Sequence, residues 1–149
     1  MTDLHHDSFT LERVYEKCRD HVWSGWTTRE KKNRWFGGGI EQLDFTPGGM
    51  ERASFHDTMG VHVNETRYFD IRPGECSVMA YSMALNGRVH TVSLATVTFA
   101  DEGGGTRLTY TEQMCVLPPS DGVPGRKHGW THLLGGLGQA LSAEMTGAG

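Results

Sequence analysis

The sequence predicts an α+β domain in which a curved antiparallel sheet wraps one long C-terminal helix. Three observations predict it. From about residue 40 to residue 117 the chain alternates apolar and polar positions in six successive runs. Tight-turn signatures separate those runs, among them Asn86-Gly87, a strong hairpin signal. Beyond residue 125 the period becomes helical, with leucines recurring on one face. Strands joined by tight turns make an antiparallel meander, and only the last helix is long enough to cover one of its faces.

Each element has a local reason. "SFTLERVY", residues 8–15, alternates and reads as a first strand. Asp20 can cap a short helix carrying Val22, Trp23 and Trp26, and Thr27 or Thr28 can cap a second, "TREKKNRWF", that stops at the glycines 37–39. The basic cluster at residues 29–34 contains Glu30 and reads as a solvated helix face, not a membrane patch. The strands then fall at roughly 40–46, 51–58, 61–72, 75–85, 89–100 and 106–117. "PPSDGVPG", residues 118–125, reads as a loop before the final helix.

The 149 residues make one domain, 1–149, with a core over about residues 8–145. The net charge is -4 and the pI about 6.0, and no stretch concentrates Lys and Arg, so nothing electrostatic favours nucleic acid. Cys18, Cys76 and Cys115 are odd in number and lack CxxC spacing, which argues against a disulfide framework and fits a reducing cytoplasm. The N-terminus has no apolar signal region, and no apolar run approaches the ~20 residues that span a bilayer. The expectation is a cytoplasmic protein without membrane or nucleic-acid partners.

On a helical wheel Trp130, Leu133, Leu134, Leu137, Ala140, Leu141 and Met145 form one apolar stripe. Gly135 and Gly136 fall on the opposite half and Gly138 on the edge, away from close packing on the sheet. Each glycine costs a helix about 1 kcal/mol relative to Ala. They are either drift at tolerant surface sites or the mark of a compliant lid over a cavity.

Strand alternation offers two inward-facing sets, and a one-residue slip exchanges them. The preferred set is Tyr68 and Asp70; Met79, Tyr81 and Met83; Ala95, Val97 and Phe99; and Leu108, Tyr110, Glu112 and Met114. These side chains either fill a core or line an adaptable apolar pocket with a few polar handles. Glu112 is the sharpest case. Facing in, it needs a partner such as Arg67, Arg107 or a tyrosine hydroxyl, or it must protonate; facing out, it is an ordinary surface charge. His128 and His132 have i, i+4 metal-ligand spacing, but HExxH is absent and both point away from the leucine stripe. No GxSxG elbow exists, and the glycine runs lack GK[ST], so no metal or cofactor is expected. Trp23, Trp26 and Trp35 are expected to pack the short helices against the sheet, or to gate a cavity mouth.

Three stretches carry a resemblance: "HVWSGWTTREKKNRWF", "ETRYFDIRPGE…VSLATVTFADEGGGTRLTYTEQ" and "KHGWTHLLGGL". Together they resemble the homologues of the activator of the 90-kDa heat-shock ATPase, within the START-like helix-grip superfamily that also contains polyketide cyclases. The resemblance implies two short helices and a long C-terminal helix against a seven-stranded antiparallel sheet, with a cavity between helix and sheet. The resulting expectation is a binding protein for a small apolar or amphiphilic molecule. Tyr68, Met79, Tyr81, Met83, Val97, Phe99, Tyr110, Glu112, Met114, Trp130, Leu134 and Leu137 would contact the ligand. Two alternatives stay open. One is a cyclase- or aromatase-like enzyme using Glu112, Tyr110 or Asp70 as acid–base groups; the other is a protein-interaction or co-chaperone-like module. A homodimer is compatible with all three.

Overall fold

The computed structural model describes residues 4–37, 39–117 and 122–148, with side chains described as far as Glu144. Its elements run β1 (His5–Tyr15), α1 (Arg19–Ser24), α2 (Arg29–Asn33), β2 (Ile40–Leu43), β3 (Met50–Asp57), β4 (Gly60–Arg72), β5 (Cys76–Leu85), β6 (Arg88–Glu102), β7 (Gly105–Val116) and α3 (Gly122–Ala148). The strands form one antiparallel sheet in the order β1-β7-β6-β5-β4-β3-β2. The fold class, the seven strands and the three helices are as expected.

Turn chemistry sets the meander. Asn86 and Gly87 take φ of 51° and 84°, the left-handed pair that a two-residue hairpin turn needs, and Leu85 pairs directly with Arg88. The Thr28 hydroxyl accepts from the Lys31 amide at 3.2 Å and starts α2. Asp20 does not cap α1: the N-cap is Cys18, without a side-chain bond, and Asp20 lies in the first turn. The expected loop over 118–125 is helical from Gly122 onward, while 118–121 lie outside the described residues, as does the Met145 side chain.

The inward set follows the preferred alternation as far as Tyr68. Tyr68, Met79, Tyr81, Ala95, Val97, Phe99, Leu108, Tyr110, Glu112 and Met114 are buried, and Met83 is half-buried. Asp70 departs from it. A bulge places Tyr68 opposite Met79 but Asp70 opposite Val78, so one extra β4 residue flips the alternation and sends Asp70 to the outer face. There it pairs with Arg72 at 3.1 Å.

Leu134, Leu137 and Leu141 share one core cluster with Val97, Phe99 and Leu108. Each is fully buried, worth about 1.5–3 kcal/mol apiece, which offsets the helix cost of the glycines. Trp23, Trp26 and Trp35 join that cluster: Trp23 packs edge-on to Phe99 at 5.2 Å and Trp26 to Trp35 at 4.6 Å.

The glycines are not a free back face. A Cβ on Gly138 would lie 3.3 Å from the Tyr15 ring, one on Gly135 3.1 Å from the Arg13 guanidinium, and one on Gly136 3.5 Å from the Trp35 carbonyl. The missing side chains let α3 approach β1 and the segment after α2. Two bonds use that approach: the Tyr15 hydroxyl donates to the Leu134 carbonyl at 2.7 Å, and Arg13 donates to the Thr131 carbonyl at 3.2 Å. The helix is gripped there, not free to lift. Tyr15→Phe removes a buried hydrogen bond while keeping the ring against Gly138, so urea unfolding should show a loss of about 1 kcal/mol with an unchanged m-value.

Candidate functional site

An open space among the described residues is offset from the leucine stripe. A cleft of about 870 Å³ opens between the N-terminal half of α3 and strands β3–β5. The helix contributes Gly125, Arg126, Gly129, Trp130, His132 and Leu133; Phe36, Gly37 and Gly39 follow α2. The sheet side presents Ala53, Phe55, His62, Asn64, Tyr81, Met83, Leu85 and His90, with Met59 from the β3–β4 turn. Phe55 and Met59 remain 45% and 65% exposed, so the outer wall is apolar surface facing water. Phe55 stacks on His62 at 4.6 Å, and His62 pairs with Asp57 at 2.9 Å. The His62 bond, aided by turn amides, holds the Asp57 carboxyl below its ordinary range.

A polar network forms the inner end of this cleft. Glu112 has no solvent exposure. Its Oε1 accepts from the hydroxyls of Tyr81 at 2.5 Å and Tyr110 at 2.7 Å. Its Oε2 accepts from Ser93 at 2.6 Å and from Arg126 Nη1 at 2.6 Å. Arg126 also donates through Nη1 to the Tyr81 hydroxyl at 2.8 Å and through Nη2 to Thr91 at 2.5 Å. Trp130 Nε1 donates to the same hydroxyl at 3.3 Å, and its ring stacks on Tyr110 at 4.0 Å. Strands β5, β6 and β7 thus converge on one carboxylate, and α3 supplies the cation that neutralises it. Burial pushes the Tyr81 and Tyr110 phenols far above the usual tyrosine range, and the Glu112 charge adds to it. Burial opposes the Arg126 cation, but Tyr81 and Glu112 outweigh it and raise its pKa. Toward the cleft this network offers hydrogen-bond donors; the carboxylate itself is sealed behind Tyr81 and Arg126.

Of the expected ligand contacts, Tyr81, Met83 and Trp130 lie on the cleft wall. Tyr68, Met79, Val97, Phe99, Tyr110, Met114, Leu134 and Leu137 are placed in the packed core, and Glu112 one layer behind the wall. Glu112 finds the expected tyrosine hydroxyls, but neither expected arginine: Arg107 pairs with Glu102 at the surface and Arg67 is exposed. Arg126 takes the role instead. It was legible as the i-4 neighbour of Trp130, which continues the leucine stripe one turn backwards. His128 and His132 are exposed, and His132 stands at the cleft rim. Among the described residues no group of three or more His, Cys, Asp or Glu is arranged to hold a metal ion.

A second buried ion pair lies beside the cleft, in the cluster expected to be solvated. Lys32 is 2% exposed and Glu51 1%. Lys32 Nζ donates to Glu51 at 2.7 Å, the Tyr68 hydroxyl donates to the same oxygen at 2.5 Å, and the ammonium lies 4.6 Å from the Phe36 ring. Burial, and then Glu51, push the Tyr68 phenol well up. This pair pins α2 to β3 and so fixes Phe36 on the cleft wall.

A curved antiparallel sheet closed by a long C-terminal helix, with a cleft between them, defines a helix-grip protein of the START-like class. The chain belongs to the family described as Activator of Hsp90 ATPase homolog 1-like protein, which matches residues 18–142. It is similar to an uncharacterised protein from Rhizobium leguminosarum, with 32% identity and a TM-score of 0.90 over 96% of this chain and 99% of that one. The Mll3558 protein from Rhizobium loti is 31% identical, with a TM-score of 0.86 over 93% of this chain and 99% of that one. DynU16, from the dynemicin biosynthetic locus, shares the fold at 21% identity, with a TM-score of 0.72 over 91% of this chain and 47% of that one. No curated protein sequence matches the chain significantly. Among the described residues no helix is long and apolar enough to cross a membrane.

Two outcomes follow from the network. Arg126→Met strands the Glu112 charge and should cost about 3–5 kcal/mol in denaturant unfolding, while Arg126→Met with Glu112→Gln should recover at least half of that. All four tyrosines, Tyr15, Tyr68, Tyr81 and Tyr110, are buried, and burial raises each phenol above its ordinary value of 10.0. A phenol that holds its proton more tightly when folded stabilises fully below pH 10 and loses that contribution as pH rises beyond it. Tyrosinate absorbance should therefore stay flat through pH 10 and then rise together with loss of the near-UV circular dichroism signal; independent titration of the phenols in the folded state would contradict this.

Proposed function

We propose that this protein binds a small, mostly apolar molecule in the cleft between α3 and strands β3–β5. The observation that carries the reading is the combination at that cleft. A space of about 870 Å³ falls in the range of small-molecule sites. Its walls are mainly Phe36, Phe55, Met59, Met83, Leu85 and Leu133, with polar groups gathered at one end around Arg126 and Tyr81. Methionines and partly exposed rings adapt to guests of different outline, and a fixed polar end orients them. Membership in a helix-grip family is consistent with such use, although the fold alone decides no function.

The ligand is held by the cleft wall and oriented from Arg126, with Glu112 and Tyr110 acting behind it as supports. A carbonyl- and aromatic-rich compound library screened by thermal shift tests this. A true ligand at ~100 times its Kd adds about 2.7 kcal/mol, which for a chain of this size raises Tm by roughly 5–10 °C. Gly129 lines the cleft on α3, and a Cβ there would meet nothing within 4 Å. Gly129→Leu should raise stability by about 0.8 kcal/mol through helix propensity and abolish the ligand-induced shift by filling the space. A hit whose shift survives in Gly129→Leu binds elsewhere, and a library without hits overturns the reading.

A further inference from the structure

We infer that the cleft selects an uncharged apolar molecule by one carbonyl oxygen, received by the unspent donors of Arg126; this rests on the binding reading above. A guanidinium carries five N–H donors. Among the described residues Arg126 spends three: two through Nη1, on Tyr81 and Glu112, and one through Nη2, on Thr91. Among the described residues the Nε–H and the second Nη2–H have no protein acceptor, and Arg126 forms part of the cleft wall. Its side chain is only 13% exposed, so these donors are largely withdrawn from bulk water and gain from an acceptor brought by a guest.

The groups beside Arg126 are largely committed. The Tyr81 hydroxyl donates to Glu112 and accepts from both Arg126 and Trp130, which fills its capacity. Asn64 Oδ1 already accepts from Thr66, and His62 is paired with Asp57. Beside Arg126 a guest carbonyl oxygen therefore meets two donors, whereas the Tyr81 hydroxyl has no capacity left for a guest hydroxyl.

Charge decides between a ketone and a carboxylate. Arg126 and Glu112 neutralise one another at 2.6 Å. A carboxylate guest would put a second anion beside Glu112 against a single cation, and would lose its own hydration in doing so. A neutral carbonyl takes the same donors without that cost. The guanidinium is held in place by Glu112, Tyr81 and Thr91 before any guest arrives, so little ordering entropy is lost on binding.

The test uses three probes on one tricyclic frame, fluorene, fluorenone and fluorene carboxylate, titrated against the full chain by tryptophan fluorescence and calorimetry at neutral pH. The expected result is fluorenone binding roughly ten-fold or more tightly than either of the others. That advantage, read as the ratio of fluorenone to fluorene affinity within each protein, should disappear in Arg126→Met/Glu112→Gln and should shrink in Arg126→Lys, which keeps the charge but loses the Nε–H. Equal affinity for the three probes in the native chain, or a ketone advantage that survives both variants, overturns this inference and leaves the binding reading standing. Binding of none of them, together with no effect of Gly129→Leu on any screened compound, overturns both. The native-chain comparison decides the matter even if the double variant does not fold.

Discussion

A carboxylate buried at the centre of a sheet has to be satisfied, and much of this molecule is arranged around doing so. Glu112 has no solvent exposure and accepts from two tyrosines, a serine and an arginine. Three adjacent strands, β5, β6 and β7, supply the neutral donors, and their register is what brings them together: Ala95 pairs with both Met79 and Glu112, which places Tyr81 and Ser93 on the same inner face. The cation comes from α3. The sheet alone would strand a charge and the helix alone would have no anchor, so docking of one completes the other. The polar end of the cleft is the exposed side of that agreement.

The Lys32–Glu51–Tyr68 cluster repeats the chemistry in a different setting. Both sites join a cation, a carboxylate and a phenol that donates to it. Lys32 spends its charge inside, against Glu51 and over the Phe36 ring, and does not line the cleft. Arg126 has a planar fork with more donors than its partners absorb. One pair is therefore a staple for α2 and the other a staple with spare capacity, and that difference is why the cleft has a polar end on the α3 side and an apolar wall on the α2 side.

The architecture was readable from the chain because its signals are local. Asn86-Gly87 names its own turn, and the pairing of β5, β6 and β7 shifts register only next to that turn, beyond Met83, so the inward set from Met79 to Met114 follows from the period alone. What escaped is non-local. Asp70 left the inner face because a bulge inserted one residue, a fact of pairing with β5 and not of β4's own composition. Lys32 looked solvated within a run of charges; only the approach of Glu51 from β3 makes its burial tolerable. The glycines of α3 read as a weakened helix because their neighbours, Tyr15 and Trp35, lie more than a hundred positions away. The cleft drifted from its expected place for the same reason: the leucine stripe fills its own footprint, and the open space lies beside Phe55 and Met59, which the alternation did not mark.

The position of β1 has a consequence for how the chain is made. It is the first strand in sequence and an edge of the sheet, yet its partner is β7, with Thr10 meeting Thr111 across 101 residues. On the ribosome β1 therefore waits, unpaired, while the whole meander is synthesised. Phe9, Leu11 and Tyr15 can find their burial only after residue 116 has left the exit tunnel. Loop closure of that span is a slow, late step, so β1 stays without its partner until β7 has been made.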